Sequence, residues 1–144
     1  MTRIDFYILQ DVEVDAMHRF ACALASKTIE AGSQVVIHTA DEATALAIDE
    51  LLWVYPDRRF IPHGLQNTPA AKRAPVQLCW DEPESYDGVL VNLTTEVPEF
   101  FGRFDRVAEI VVGQNRSTGR GRYKFYRDRG FPLYSHDLDD WEAA

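Results

Sequence analysis

The chain has 144 residues, of which 46% are hydrophobic and 26% charged, and its formal net charge is −8. This length and apolar content fit one globular domain, while the acidic balance disfavours a nonspecific nucleic-acid binder, which is usually basic. No apolar run approaches the roughly 20 residues of a membrane span, and no charged-then-apolar leader precedes the first strand pattern. We therefore expect a single domain over residues 1–144, no membrane contact and a cytoplasmic location.

The first half of the chain alternates between strand and helix patterns. We predict strands over residues 4–9 and 34–38, a helix over 14–31 ended by Gly32, and a helix from the capping-box sequence at 39–42 to about Val54. The side chains of this second helix that are expected to face inward are Leu46, Ala47, Leu51 and Val54. The β-α-β-α order indicates a largely parallel sheet covered by helices.

The second half opens with an irregular segment at residues 56–75, which holds four of the seven prolines and is expected to be a long loop. Further strands are predicted at 76–80, 88–93 and 106–112, a short helix at 98–104, and a last strand at 132–135 after a basic helix. Residues 137–144 form an acidic tail that we expect to be frayed. The predicted fold is thus α/β, with a mostly parallel central sheet flanked by helices.

Sequence patterns for nucleotide binding, metal binding and catalysis are missing. The turn at residues 10–13 has no glycine and carries two acids, and the chain has no GxxxxGK[ST], so we predict a Rossmann-like fold without a nucleotide-binding loop. The histidines and the two cysteines lack metal-ligand spacing, and no Gly-x-Ser-x-Gly marks a nucleophile. Cys22 and Cys79 are expected to be buried, reduced thiols. We expect no cofactor, no metal and no enzymatic activity.

Residues 116–129 concentrate positive charge. They hold six of the 15 Lys and Arg residues and one of the 23 Asp and Glu residues, a local charge of +5 against −13 on the other 130 residues. On a helix, the residues that share one face are Arg116, Arg120, Tyr123, Lys124 and Arg127. Guanidinium groups beside an aromatic ring suit an acidic ligand that also has an apolar group. The competing interpretation is a solvated helix face beside a buried aromatic.

Two glycines lie within this basic segment. Gly119 and Gly121 each weaken a helix by about 1 kcal/mol relative to alanine. We therefore expect the helix to be firm only from about Arg122 onward.

A second candidate surface follows the second predicted helix. Trp53 ends that helix, and a proline-bounded apolar loop with Phe60, Pro62 and Leu65 comes next. Aromatic and aliphatic side chains with few charges are typical of a protein interface. The alternative is that Trp53 and Phe60 cap the sheet.

With these motifs, the chain resembles the chi subunit family of bacterial DNA polymerase III over nearly its whole length. The segments that carry the resemblance are FYIL at 6–9, DELLW at 49–53 followed by FIPH at 60–63, and RYKFYR at 122–127 followed by Gly130-Phe131. Between residues 112 and 122 the chain departs from the family, because it is shorter there and carries the two glycines.

The resemblance implies a noncatalytic accessory subunit in DNA replication. It implies binding to the acidic C-terminal tail of single-stranded DNA-binding protein, which ends in an apolar residue and a free carboxylate, and to the psi subunit, which connects to the clamp loader; contact with DNA is then indirect. Tail binding carries over to Arg120, Tyr123, Lys124 and Arg127, with Val111 in the apolar pocket, and helical phase adds Arg116. Binding of psi or another protein carries over to Trp53, Phe60, Pro62 and Leu65.

Two alternatives remain open. The same Arg/Tyr helix suits a direct single-stranded nucleic-acid-binding module, because aromatic and cationic side chains also stack on bases and neutralise phosphates. A hydrolase or nucleotidyl enzyme on the same sheet would need a metal or phosphate site that the sequence does not show.

Overall fold

The computed structural model describes residues 1–55 and 61–142. Within these ranges the strands and α-helices are, in chain order, β1 (Arg3–Leu9), α1 (Val14–Glu30), β2 (Val35–His38), α2 (Glu42–Leu52), β3 (His63–Leu65), β4 (Val76–Cys79), β5 (Val89–Asn92), β6 (Arg106–Val111), α3 (Arg116–Asp128) and β7 (Leu133–Leu138). Short 3₁₀ turns cover Pro69–Lys72, Phe101–Arg103 and Gly113–Asn115.

The strands form one sheet in the order β3-β4-β2-β5-β6-β1-β7. The strand pairs of this sheet are all parallel. The chain must therefore cross over a face of the sheet between one strand and the next. The result is a single α/β domain, which confirms the predicted fold class. No helix within the described residues is both long and apolar enough to cross a membrane.

Alternation along the strands divides the apolar side chains between two cores. In β2, Val35 and Ile37 face one core, which α1 and α2 cover. Val36 faces the other core, where Tyr126 of α3 packs with Phe6 and Phe104. The helices α2 and α3 therefore lie on opposite faces of the sheet.

The inward face predicted for α2 is wrong by about one residue of rotation. The buried residues are Ala45, Ile48 and Leu52, an i, i+3, i+7 row, whereas Leu51 is half-buried. Leu46, Ala47 and Val54 are exposed. The helix has more apolar positions than the sheet covers, so periodicity alone did not select the buried row.

The start of α2 also differs from the predicted capping box. Asp41 caps the helix, because its side chain accepts a hydrogen bond from the Thr44 amide at 2.8 Å. Thr39 is buried before the helix, and its hydroxyl donates to the Asp41 carbonyl at 2.8 Å.

The predicted long loop contains β3, a three-residue edge strand that pairs with β4. Gly64 at its centre lies against the following turn, where an added Cβ would be 2.4 Å from the Ala70 carbonyl carbon. The strand was missed because three residues show no alternation that distinguishes a strand from a loop.

The carboxy-terminal segment is ordered through residue 142, so the frayed tail predicted from Asp137 is wrong there. The strand β7 runs to Leu138, and the Trp141 ring packs edge-on against Phe20 at 5.1 Å. The Trp141 indole donates to the Asp11 carboxylate at 2.9 Å. Glu142 accepts hydrogen bonds from Arg19 at 2.8 Å and from Tyr55 at 2.6 Å. These partners, on α1 and in the segments before α1 and after α2, hold the acidic tail that composition suggested would be solvated.

Candidate protein-binding surfaces

The helix α3 begins at Arg116, six residues before the expected firm start. Gly119, Arg122 and Tyr126 form its buried side. An added Cβ at Gly119 would lie 3.1 Å from Cγ2 of Val111, so the missing side chain lets the helix approach β6 closely. Packing against the sheet therefore offsets the weak helix propensity of glycine.

The two glycines of α3 lead to opposite expectations for alanine substitution. At Gly121 no atom lies within 4 Å of an added Cβ, so Gly121→Ala should stabilise the protein by about 1 kcal/mol. At Gly119 the same change presses on Val111, so we expect no gain or a loss. Thermal unfolding of both variants measures the difference, and equal stabilisation would contradict the close packing at Gly119.

A buried polar network fastens α3 to the sheet. The Glu109 carboxylate on β6 accepts hydrogen bonds from Arg122 Nε at 2.8 Å, Tyr126 Oη at 2.7 Å and Asn92 Nδ2 at 3.0 Å. The Arg122 guanidinium also donates to the Thr95 carbonyl at 3.2 Å. Burial raises the pKa of Glu109, while these donors favour its ionised form. Arg122 was counted in the basic segment, but its charge serves this network and not the surface.

The predicted row of side chains lies together on the exposed side of α3. Its members are Arg116, Arg120, Tyr123, Lys124 and Arg127, all of them exposed; we call them the basic row. From Arg116 to Arg127 the helix makes eleven rises of 1.5 Å, so the row is about 16 Å long. An extended peptide of about five residues would span this length. Tyr123 is 36% exposed, and its ring meets Phe6 edge-on at 5.2 Å. The row is thus an open surface with an aromatic side chain fixed at its inner edge.

Most of the cations in the basic row have no protein partner. Within the described residues, Arg116, Arg120 and Lys124 make no side-chain hydrogen bond or ion pair. Arg127 is different, because its guanidinium lies 3.3 Å from the Asp128 carboxylate. Three unpaired cations can therefore accept an acidic ligand without giving up an existing bond.

Val111, the predicted pocket residue, lies beneath α3 and is only 7% exposed. It offers a ligand little surface. Ile8 was not predicted as a site residue, yet it is half-buried on the same face of β1 as Phe6 and packs against the same core. The alternation of residues 4, 6 and 8 in the first strand was the signal that could have identified it.

The second predicted surface is exposed where the structure describes it. Trp53 is 55% exposed, Pro62 is exposed and Leu65 is half-buried, while Phe60 lies outside the described residues. Leu46 and Val54, which were predicted to be buried, are exposed as well and enlarge the apolar surface of α2.

A histidine fixes the position of this surface. His63 Nε2 lies 3.0 Å from Asp49 of α2, and its Nδ1 lies 2.6 Å from the Ile61 carbonyl. The Trp53 ring meets the His63 ring edge-on at 5.1 Å. Beside it, a groove of about 490 Å³ runs between α1 and α2 and is lined in part by Leu51 and Val54.

The described residues show no phosphate cradle at the end of β1, where Asp11 instead accepts the Trp141 indole. In residues 1–55 and 61–142, no group of three or more His, Cys, Asp or Glu side chains is placed to hold a metal ion. Cys22 and Cys79 are free and buried as predicted, and burial raises the pKa of each thiol to about 12.

Comparison with known proteins gives a consistent result. A family model described as DNA polymerase III chi subunit, HolC, matches residues 1–134. The chain is 42% identical to DNA polymerase III subunit chi of Pseudomonas aeruginosa over 141 residues, covering 96% of this chain and 98% of the relative. It is 33% identical to the subunit of the same name from Escherichia coli over 141 residues, covering 92% and 96%. The chain therefore belongs to the DNA polymerase III chi subunit family, whose members are accessory subunits in DNA replication.

Proposed function

We propose that this protein is a noncatalytic subunit that links the DNA polymerase III clamp-loader assembly, through psi, to the acidic C-terminal tail of single-stranded DNA-binding protein. The basic row on α3 receives the tail. The exposed apolar surface around Trp53 receives psi or another protein. A subunit of the replicative polymerase acts on the chromosome, so we place this protein in the cytoplasm.

One observation carries this proposal: the basic row places Arg116, Arg120 and Lys124, none of which has a partner among the described residues, beside a partly exposed tyrosine. The acids and the terminal carboxylate of a tail would bind the cations. Its apolar last residue would pack on Tyr123 and Ile8, and the length of the row fits about five extended residues. If this helix face only contacted solvent, the packing of Tyr123 on Phe6 beside these cations would serve no purpose.

The position of the two surfaces supports a linking function. The basic row belongs to α3, which covers β6 and β1, whereas Trp53 follows α2, which packs near β3 and β4 on the other face. Partners at these two places would approach from opposite sides of the sheet. Both can therefore bind at once without competing for the same space.

Calorimetric titration with a tail peptide tests the proposal. We expect binding to the peptide with the tail's full sequence, and loss of binding to the same peptide without its last residue, because the truncated peptide lacks the apolar group. Titration at rising salt should weaken binding without abolishing it, since burial of the apolar group is not screened. Equal affinity for both peptides, or no binding to either, would contradict the tail-receptor function.

The apolar surface needs its own test. Trp53→Ala should remove the psi subunit from the affinity-purified protein while tail-peptide binding stays unchanged. A matched control is Tyr134→Ala, which removes another exposed aromatic ring far from α2. Retention of psi by the Trp53 variant would show that the surface is structural.

A further inference from the structure

A group of charged and aromatic side chains lies on the sheet face opposite α3, toward the amino-terminal ends of the strands. In β1, Asp5 and Tyr7 alternate with Phe6, and Tyr7 packs on Phe20 of α1 at 5.3 Å. The strand register places beside them residues of β6 and β7. The members of the group that reach solvent are Arg3, Arg106, Tyr134 and His136, which we call the sheet-face patch; Tyr134 is exposed and the other three are half-buried.

A buried carboxylate holds the patch together. Asp5 is fully buried and accepts hydrogen bonds from Arg106 Nε at 2.7 Å, His136 Nε2 at 2.8 Å and Arg3 Nη2 at 3.0 Å. Burial by itself raises the pKa of Asp5, but the bonds from Arg3, His136 and Arg106 outweigh it and leave that pKa lowered. Asp5 is therefore an ionised anchor beneath the surface.

This anchoring leaves donors free toward solvent. Arg106 contacts Asp5 through Nε, and its guanidinium also interacts with the Tyr7 hydroxyl, so part of its terminal N–H groups stays available to a ligand. Arg3 likewise keeps Nη1 free. Both arginine side chains are 42% exposed, and one buried carboxylate balances only one of their two permanent charges. The patch thus presents a net positive charge through two guanidinium groups of fixed orientation.

The aromatic members supply flat surfaces beside these cations. The Arg3 guanidinium lies 4.0 Å from the centre of the Tyr134 ring, which is 46% exposed. The His136 ring stacks on Tyr7 at 4.8 Å with a tilt of 17°. Because the two residues are two positions apart on β7, they share one face about 7 Å apart. Aromatic rings on a sheet surface next to cations are a common binding platform for single-stranded nucleic acid.

We propose that the sheet-face patch binds single-stranded nucleic acid, with backbone phosphates at Arg3 and Arg106 and bases stacked on Tyr134 and His136. This surface is separate from the basic row, so the inference holds whether or not α3 receives an acidic tail. The net charge of −8 repels a polyanion and makes binding weak in free solution. A partner protein that is already bound to the nucleic acid would raise the effective concentration of the patch beside it. This increase would compensate for the weak binding.

Fluorescence anisotropy with a labelled oligothymidylate at low salt tests the proposal. Arg3→Gln and Arg106→Gln should each weaken binding and reduce the slope of log K against log salt by about 0.7, the value for one phosphate contact on a single strand. Arg73→Gln is the matched control, because Arg73 is exposed and makes no side-chain hydrogen bond or ion pair with residues 1–55 or 61–142. It changes the net charge equally and should leave the slope unchanged.

Further variants keep the test decisive if loss of an Asp5 partner destabilises the fold. Tyr134→Leu removes the ring over which the Arg3 guanidinium lies but keeps all three hydrogen-bond donors of Asp5, and it should weaken binding about 5- to 150-fold, since stacking on one base is lost. Unchanged binding by this variant would overturn the proposal. Loss of binding in Arg120→Gln with no change in the patch variants would assign the nucleic acid to α3 and overturn it too.

A nuclear magnetic resonance titration separates the possible sources of the phosphate. The Nε signals of Arg3 and Arg106 and the ring signals of Tyr134 should shift with the oligothymidylate. If inorganic phosphate or an acidic peptide shifts these signals at lower concentration than the oligonucleotide does, the patch is a site for that anion and the nucleic-acid assignment fails.

Discussion

Arg122→Met is expected to lower the free energy of unfolding by about 3–5 kcal/mol, the loss typical when one partner of a buried ion pair is removed. The substitution removes the cation from a fully buried pair and leaves the Glu109 carboxylate in the core with only Asn92 and Tyr126 as donors. Chemical denaturation monitored by circular dichroism measures the change.

The control for this prediction is Arg120→Met, two residues earlier on the exposed side of the same helix, which should change stability by less than about 0.5 kcal/mol. Adding Glu109→Gln to Arg122→Met should recover part of the loss, because no buried charge then remains unpaired. A fall in stability of the same size for both single variants would show that helix propensity, and not the buried pair, is responsible.

Arg120→Ala is expected to weaken tail-peptide binding about 5- to 150-fold, and Arg127→Ala is expected to weaken it less. Arg120 has no partner in the part of the chain that the structure describes and offers its whole guanidinium to the peptide. Arg127 lies beside Asp128, and a ligand carboxylate must compete with that acid. Asp128→Asn should therefore increase the affinity modestly.

Isothermal titration of these three variants with one peptide gives the order of effects. Thermal unfolding should be nearly unchanged in all of them, since exposed charges contribute little to stability. A larger loss for Arg127→Ala than for Arg120→Ala, or weaker binding after Asp128→Asn, would contradict the role assigned to the Arg127–Asp128 pair.

The order of elements was predictable because most strands and helices carry clear apolar periods. The errors fall where tertiary packing decides. In α2, several apolar faces were available and the sheet covered only Ala45, Ile48 and Leu52. At the carboxy terminus, Trp141 and Glu142 find partners on α1 and just after α2 that no local pattern reveals.

The basic row was predictable from helical phase, because residues four apart must share a face. Helical phase also leaves Arg122 out of this row, but it does not reveal the buried partner of Arg122. That partner is Glu109, an acid on a separate strand. Only packing against the sheet brings the two charges together. For the same reason the sequence did not show that Val111 is buried beneath α3 while Ile8 is only half-buried.

The parallel sheet has a consequence for how the protein is made. Among the described residues, the first strand pairs only with β6 and β7, which come from the last third of the chain. A ribosome that has released the amino-terminal half has therefore released a strand whose neighbours do not yet exist. The domain must complete its sheet after nearly all of the chain has emerged, and a transcript truncated before β6 would yield a product whose first strand has no native neighbour.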